Sequence, residues 1–279
     1  MSGNFVLPPM GFGPGTQPPE EDGKELEYMP MPQDMRTYTH SIPEVEVTEN
    51  LTPALALLAE IAAACDIAGQ GGPNATFDLS TLDEANRALI AESMNEGEVS
   101  MRMHGVPAVA AQESVFAGVW MMKAADRDAI EVGSAPMMAG QRAHQPRKPA
   151  TLSATPKTPG VVNAPPLLVE LIDKSQSYVE GMEPHVINLT LLPHTEEDLA
   201  WLAEALGQGA TDILSRGYGN CRVTATALPH VWRVQFFNSM DTLILDTFEV
   251  TDMPEVALAA DEDLVDSADR LREVLEAIR

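Results

Sequence analysis

Six histidines, two cysteines and 42 acidic side chains are the groups through which this 279-residue chain could bind a metal, attack a substrate or move a proton. Their spacing decides which of these is feasible. The stretch with most chemical content is Gly217-Tyr218-Gly219-Asn220-Cys221-Arg222. A thiol beside a guanidinium in a glycine-rich turn can ionise below its usual pKa, and the thiolate is both a nucleophile and a metal ligand. The same residues also have a plain structural use, in which the glycines supply positive φ for a turn and Cys221 opens a strand as a small apolar side chain. That use is the better supported, because Cys221 has no histidine in sequence reach and the matching position of the other half of the chain carries no thiol. Cys65 lies far away, in neither a C-x-x-C nor a Cys/His ligand pattern, so two free thiols are expected rather than a disulfide or a zinc site.

The histidines, His40, His104, His144, His185, His194 and His230, form no pair at ligand spacing, which leaves only a metal site assembled from residues distant in sequence. G-x-S-x-G, P-loop, G-x-G-x-x-G and H-E-x-x-H motifs are absent from the chain. The expectation is therefore a protein that is not an enzyme and holds no cofactor and no metal. Asp261-Glu262-Asp263 needs no catalytic role, since acidic side chains are favourable at the start of a helix.

The net charge of −25 excludes further classes. Affinity for a phosphate backbone comes from basic side chains that displace counterions, and this surface offers the opposite sign. Nucleic acid and anionic membranes are excluded as general partners. With no apolar run of about 18 residues and no basic, apolar leader, the chain is expected to be cytoplasmic without membrane insertion.

These residues must be placed by the elements around them. Residues 1–50 hold eight of the 22 prolines and no lasting periodicity, which predicts a disordered arm with apolar hooks such as Phe5, Phe12 and Met29. A second proline-rich break, 139–165, carries Arg142, Arg147, Lys148 and Lys157, and no Asp or Glu lies between Val132 and Val169. This basic strip either rests on neighbouring acidic surface or binds an acidic partner.

The remaining segments, 51–138 and 166–279, read as one unit written twice. Leu57-Leu58-Ala59-Glu60-Ile61 matches Leu167-Leu168-Val169-Glu170-Leu171, and the same offset takes Gly71 to Gly181 and Phe77-Asp78-Leu79-Ser80 to Ile187-Asn188-Leu189-Thr190. A small insertion later, Leu89-Ile90-Ala91-Glu92 falls on Trp201-Leu202-Ala203-Glu204; a further one sets Phe116 on Trp232 and Trp120 on Phe236. Glu131-Val132 then falls on Glu249-Val250. Each unit opens with an amphipathic helix, over 53–68 and 165–180, with proline near the entry where its missing N–H is harmless. Second helices follow over 82–95 and 195–206, Thr195 with Asp198 forming a variant capping box and Gly97 and Gly207 ending them. Strands are predicted over 98–103, 113–122 and 129–133, and over 211–215, 221–227, 231–238 and 242–250, with a turn at Asn238-Ser239-Met240-Asp241. An amphipathic helix closes the chain over 264–278. The fold class is α+β, an internally duplicated unit of two helices packed on a mainly antiparallel sheet, with a disordered Pro-rich N-terminal arm. Phe116, Trp120, Trp232 and Phe236, spaced i and i+4 on strands, serve either as core or as a recognition face.

The run from Val231 to Val256, VWRVQFFNSMDTLILDTFEVTDMPEV, resembles the C-terminal signature of the HupH/HyaF family of hydrogenase expression/formation proteins. Gln112-Glu113-Ser114-Val115-Phe116-Ala117-Gly118-Val119-Trp120, Ile130-Glu131-Val132-Gly133 and Gly217-Tyr218-Gly219-Asn220-Cys221 are similar to other parts of that family. The resemblance implies an accessory protein in the maturation of uptake NiFe hydrogenases. It points to a chaperone of the iron–sulfur small-subunit precursor with its twin-arginine signal, working beside a thioredoxin-like hydrogenase accessory protein. The alternative it implies is a metal-handling factor or enzyme in nickel incorporation into the large subunit, using Cys221. Glu113, Phe116, Trp120, Tyr218, Trp232 and Phe236 are the candidate partner-binding residues. The −25 charge would attract the basic n-region of such a signal, chiefly raising the on-rate.

Overall fold

A computed structural model describes residues 49–125, 127–216 and 219–278. Residues 1–48 of the expected N-terminal arm, and Tyr218, lie outside these residues. The first half runs α1 (Thr52–Ala68), β1 (Ala75–Asp78), α2 (Glu84–Met94), β2 (Val99–Met103), β3 (Val109–Glu113), β4 (Val119–Ala124) and β5 (Asp128–Val132), followed by the short α3 (Met137–Arg142). The second half runs α4 (Ala164–Ser177), β6 (His185–Asn188), α5 (Glu196–Leu206), β7 (Thr211–Ser215), β8 (Asn220–Ala225), β9 (Val231–Phe237) and β10 (Leu243–Val250), and α6 (Asp261–Ile278) ends the chain. No helix among the described residues is long and apolar enough to cross a membrane.

Among the described residues, ten strands form one antiparallel sheet in the order β1-β5-β4-β3-β2-β7-β8-β9-β10-β6. The order reads as its own mirror when each first-half strand is replaced by its second-half counterpart. The halves meet edge to edge through β2 and β7, where Val99 faces Ser215, Met101 faces Ile213 and Met103 faces Thr211. Met101 and Ile213 are themselves equivalent in the repeat, so a pseudo-twofold axis passes through that pair. Edge strands that would otherwise expose unpaired N–H and C=O groups satisfy each other there. The backbone obeys the axis beyond the strands: His104 N–H donates to Ala210 O at 2.7 Å, and its counterpart Arg216 N–H donates to Glu98 O at 3.1 Å.

Three sequence expectations are corrected. The strand predicted over 113–122 is a hairpin, because residues 114–118 form a turn closed by Ser114 N–H on Val119 O, and Gly118 sits at φ +76°. The strand β3 before it was missed, Val109-Ala110-Ala111-Gln112 being too small-sided to carry a β signal. The turn also removes the second insertion from the repeat. Thr226 N–H closes on Val231 O in the same way, so Val119 matches Val231 and Trp120 matches Trp232, not Phe236. The indoles agree: Trp120 Nε1–H donates to Gly133 O at 2.9 Å, and Trp232 Nε1–H to Thr251 O at 3.2 Å. The helix predicted over 165–180 stops at Ser177, where Tyr178 turns extended.

Strand alternation sorts the core into two faces. Helices α1, α2 and α6 cover one flank of one face, around Leu58, Ile61, Leu89, Ile90, Phe116, Ile130 and Leu271. Helices α4 and α5 cover the other flank of that face, around Leu168, Leu171, Leu202, Val231 and Phe248. The opposite face packs Met101, Met103, Trp120, Ile213, Val223 and Trp232 beneath Ala139 and Ala143 and beneath Ala257 from a 3-10 turn, Glu255–Ala257. Residues 139–165, read from sequence as a linker, thus contribute fully buried side chains. Their basic groups meet neighbouring acids: Arg147 pairs with Asp212 at 3.0 Å and Lys148 with Glu204.

The helix starts show why the local sequence folds as it does. Thr195 Oγ1 accepts from Asp198 N–H at 2.9 Å, while Asp198 Oδ2 accepts from Thr195 N–H at 3.1 Å, completing the capping box. The other oxygen of Asp198 accepts from the N–H groups of Val162, Asn163 and Ala164 at 2.7–3.0 Å, and so caps α4 as well. Its counterpart Asn86 does the same for α1, accepting from Ala54 N–H at 2.9 Å. In each half one α2 or α5 side chain locks the neighbouring helix in place.

Candidate functional site

The residues singled out from sequence are not gathered into a surface. Trp120 and Trp232 are fully buried and Phe116 nearly so, which makes all three rings core rather than a recognition face. Phe236 is half-buried against the second sheet face. Glu113 is buried, its carboxylate accepting from Gly118 N–H at 3.1 Å, and burial raises its pKa against that hydrogen bond. The alternation along the strands is legible in the sequence, but not that the sheet is covered on both sides at these rings.

Cys221 is also interior. Burial, with a smaller contribution from Glu249, pushes its thiol up to about 12, and Cys65 is pushed up to about 12 by burial and by Asp66. Neither is the ionised thiol that nucleophilic or metal chemistry requires. Among the described residues, no group of three His, Cys, Asp or Glu could hold a metal ion.

The site that the structure does assemble lies where the two halves differ. In the first half α6 lies along α1. Ser267 Oγ donates to Ala117 O at 3.0 Å, Arg270 stands 5.3 Å over the Phe116 ring, and Arg272 pairs with Asp66. The backbone is trimmed to admit α6: a Cβ on Gly118 would lie 2.3 Å from Leu264 Cδ2, and one on Gly69 would lie 2.8 Å from Val265 Cγ2.

Among the described residues, the second half has no such helix. The counterpart of Gly118 is His230, which holds the same left-handed backbone at φ +61°. A histidine in that region is uncommon and strained relative to glycine. Its ring is 4.7 Å from Tyr178 and 6.1 Å from His144, and its Nδ1 is 3.4 Å from Asp252. Tyr178 O–H donates to the other Asp252 oxygen at 3.1 Å. His144 packs edge-on to Trp232 and donates from Nδ1 to Thr226 O at 2.9 Å; burial, with a lesser push from His230, lowers it to about 4. These five side chains come from four separate segments, and no spacing in the sequence brings them together.

Beside the cluster, no described segment covers the outer side of α4. Val169 on that helix and Val179, just past its end, are 65% and 64% exposed and Ile172 is half-buried, at the positions equivalent to Ala59, Gly69 and Ala62. Glu170, Asp173, Glu180 and Glu183, their near neighbours in sequence, are exposed as well, Glu170 being paired with His185 at 2.8 Å. The arrangement is an apolar strip with an acidic rim and is suited to binding rather than to bond-making.

The duplication reappears when the chain is compared with known proteins. Residues 51–145 and 161–278 each match the family described as HupH hydrogenase expression protein, C-terminal conserved region. Hydrogenase expression/formation protein HupH of Rhodobacter capsulatus is 61% identical over 279 residues, covering 100% of both chains. Hydrogenase expression/formation protein HoxQ of Cupriavidus necator is 46% identical, covering 98% of each chain. Hydrogenase-1 operon protein HyaF of Escherichia coli is 33% identical, covering 95% of this chain and 94% of its own. With a family match to both halves and full-length relatives at these identities, the chain belongs to the HupH/HyaF family of hydrogenase expression/formation proteins.

Proposed function

We propose that this protein acts in hydrogenase maturation as a cytoplasmic, non-enzymatic chaperone. Its client is the iron–sulfur small-subunit precursor, held by its twin-arginine signal before export, with a thioredoxin-like accessory protein as companion. The observation that carries the reading is internal to the molecule. Helix α6 is an amphipathic segment with two arginines, and the first half seats it through apolar packing, a cation–π contact at Phe116 and an ion pair at Asp66. The second half keeps the equivalent helix, α4, with its outer strip uncovered among the described residues and exposed acids close by in sequence. An apolar segment flanked by basic residues has the chemistry to fill that strip, as an amphipathic helix fills a groove. The −25 background would speed its arrival and make capture sensitive to salt. The alternative, nickel handling through Cys221, draws no support from a buried thiol at about 12.

The test is capture of the precursor small subunit with and without its signal peptide, across a salt series, by the native protein and by a Val169→Glu/Val179→Glu variant. Signal-dependent capture that weakens with salt and with the variant is the expected result. Equal, salt-insensitive capture of both precursor forms refutes the signal-binding reading, and no capture of either refutes the chaperone. Stoichiometric nickel or iron in the purified protein, lost in Cys221→Ser, would establish the alternative.

A further inference from the structure

Among the described residues, the sheet is open between its two helical flanks. Helix α1 rests on β5 and α4 on β10, while no described helix packs closely on that face of the central strands β3, β2, β7 and β8. Their side chains on this face form rows fixed by register. Lys123 on β4 stands opposite Ala110, Ala110 opposite Arg102, Arg102 opposite Asp212, Asp212 opposite Thr224 and Thr224 opposite Arg233. In the next row Leu214 stands opposite Arg222. The floor is hollowed beside α2, where about 530 Å³ lies between Arg87, Arg102 and Lys123, and again by Arg216, Arg222 and Phe237, where about 470 Å³ lies open.

The charge of this trough runs against that of the chain. Arg102, Lys123, Arg222 and Arg233 share these rows with Asp212 and with Asp128, which stands opposite Lys123 on β5, and Asp241 borders the second hollow, so bases still outnumber acids here although the sequence has 42 acids to 17 bases. Two of these charges are already spent. Arg233 forms a two-pronged pair with Asp246 at 2.6 and 2.9 Å, and Asp212 is taken by Arg147 and His104. Among the described residues, Arg102, Lys123, Arg222 and the rim residues Arg87 and Arg216 form no ion pair; Arg222 lies 5.6 Å over the Phe237 ring. The fold does not require cations here, since the pseudo-twofold equivalents of Arg102, Arg222 and Lys123 are Leu214, Ala110 and Gln235.

We propose that this open centre of the sheet is a docking trough for an extended acidic peptide segment of a second protein, held by Arg102, Lys123 and Arg222. The surface is separate from the α4 strip and of opposite charge, so one molecule can hold a basic segment on its flank and an acidic one at its centre. A peptide is preferred to nucleic acid because a few cations within a −25 field match a few carboxylates. They do not match a polymer with a phosphate at every step. Exposed arginines on a sheet floor suit paired, forked bonds to carboxylates, and the hollows beside them accept the intervening side chains.

The experiment uses the full chain and a fluorescein-labelled peptide of about twelve residues alternating glutamate with threonine, followed by anisotropy. Saturable binding is expected, weakened about tenfold between roughly 50 and 300 mM salt. Arg102→Glu/Arg222→Glu, and the milder Arg102→Ala/Arg222→Ala, should each weaken it by about tenfold or more without lowering the melting temperature, whereas Lys174→Glu on α4 should not. Hydrogen exchange should slow in β2 and β8 on peptide addition. Absence of saturable binding, equal binding of the lysine-for-glutamate peptide, or comparable binding of a single-stranded oligonucleotide would overturn the proposal. None of these outcomes depends on the signal-peptide client.

Discussion

Asp198 gives the sharpest test of how this fold is held. One of its oxygens caps the N-terminus of α4 through three backbone N–H groups and the other closes the α5 capping box, all within a side chain only 1% exposed. Burial alone would raise its pKa, but these four donors outweigh it and hold the carboxyl at about 2. With an unfolded value of ~3.9, linkage limits the ionised form's contribution to roughly 2.5 kcal/mol at neutral pH. The sign follows from a depressed folded pKa. The contribution is complete above the unfolded value and is lost as pH falls from about 4 towards 2. Asp198→Asn keeps shape and one acceptor, as the equivalent Asn86 does in the first half, and should cost about 1–2.5 kcal/mol at pH 7. Asp198→Ala removes the acceptor of four backbone N–H groups, of which that of Ala164 is buried and the others part-buried, and should cost about 2–4 kcal/mol. Urea unfolding of the three proteins at pH 7, 4 and 3 measures both quantities. The gap between wild type and Asp198→Asn should narrow at the lowest pH. A constant gap, or an alanine variant as stable as the asparagine one, would refute this account of the cap.

Three further outcomes follow from the same geometry. Gly118→Ala places a Cβ against Leu264 at φ +76° and should destabilise by about 2–4 kcal/mol, with faster hydrogen exchange confined first to α6; unchanged α6 protection would contradict the seating described. Native protein at pH 8 should react with a disulfide reagent no faster than it unfolds, because both thiols stand at about 12, and rapid labelling of either cysteine would disprove their burial. His144, held near 4 against ~6.5 unfolded, adds stability that is complete above pH 6.5 and lost as pH falls through about 4, with a ceiling of roughly 3 kcal/mol that its partial exposure reduces. Unfolding midpoints for His144→Gln should therefore depend less on pH across that window than those of the wild type.

The signals that were legible in the sequence are those that one segment carries by itself. Thr195 and Asp198 announce a helix start because the cap is a bond between near neighbours. Asn238 announces a turn because its side chain accepts from Met240 and Thr242 N–H. The strand 113–122 was misjudged because the turn at 114–118 depends on Gly118 adopting a left-handed backbone, and a glycine does not declare which sign of φ it takes. That error also displaced the match of the two tryptophans. The candidate aromatics could be seen to alternate, but alternation is the same whether the covered face meets a helix, a 3-10 turn or a partner.

The amino-acid sequence determined the duplication, the charge and the family, since each is a property of residue order alone. It also settled the α+β class, because helical and strand periodicities alternate along the chain in blocks long enough to recognise. The tertiary structure decided how the halves join, since pairing of β2 with β7 is a contact between residues more than a hundred positions apart, and backbone groups pair without regard to side-chain identity. It decided too that α6, which follows the second half in sequence, packs on the first, so that no described helix lies over the outer side of α4. A helix's apolar stripe states that it must be covered; which surface covers it is settled only by packing, where Gly69 and Gly118 make room in one half and Val179 and His230 do not in the other.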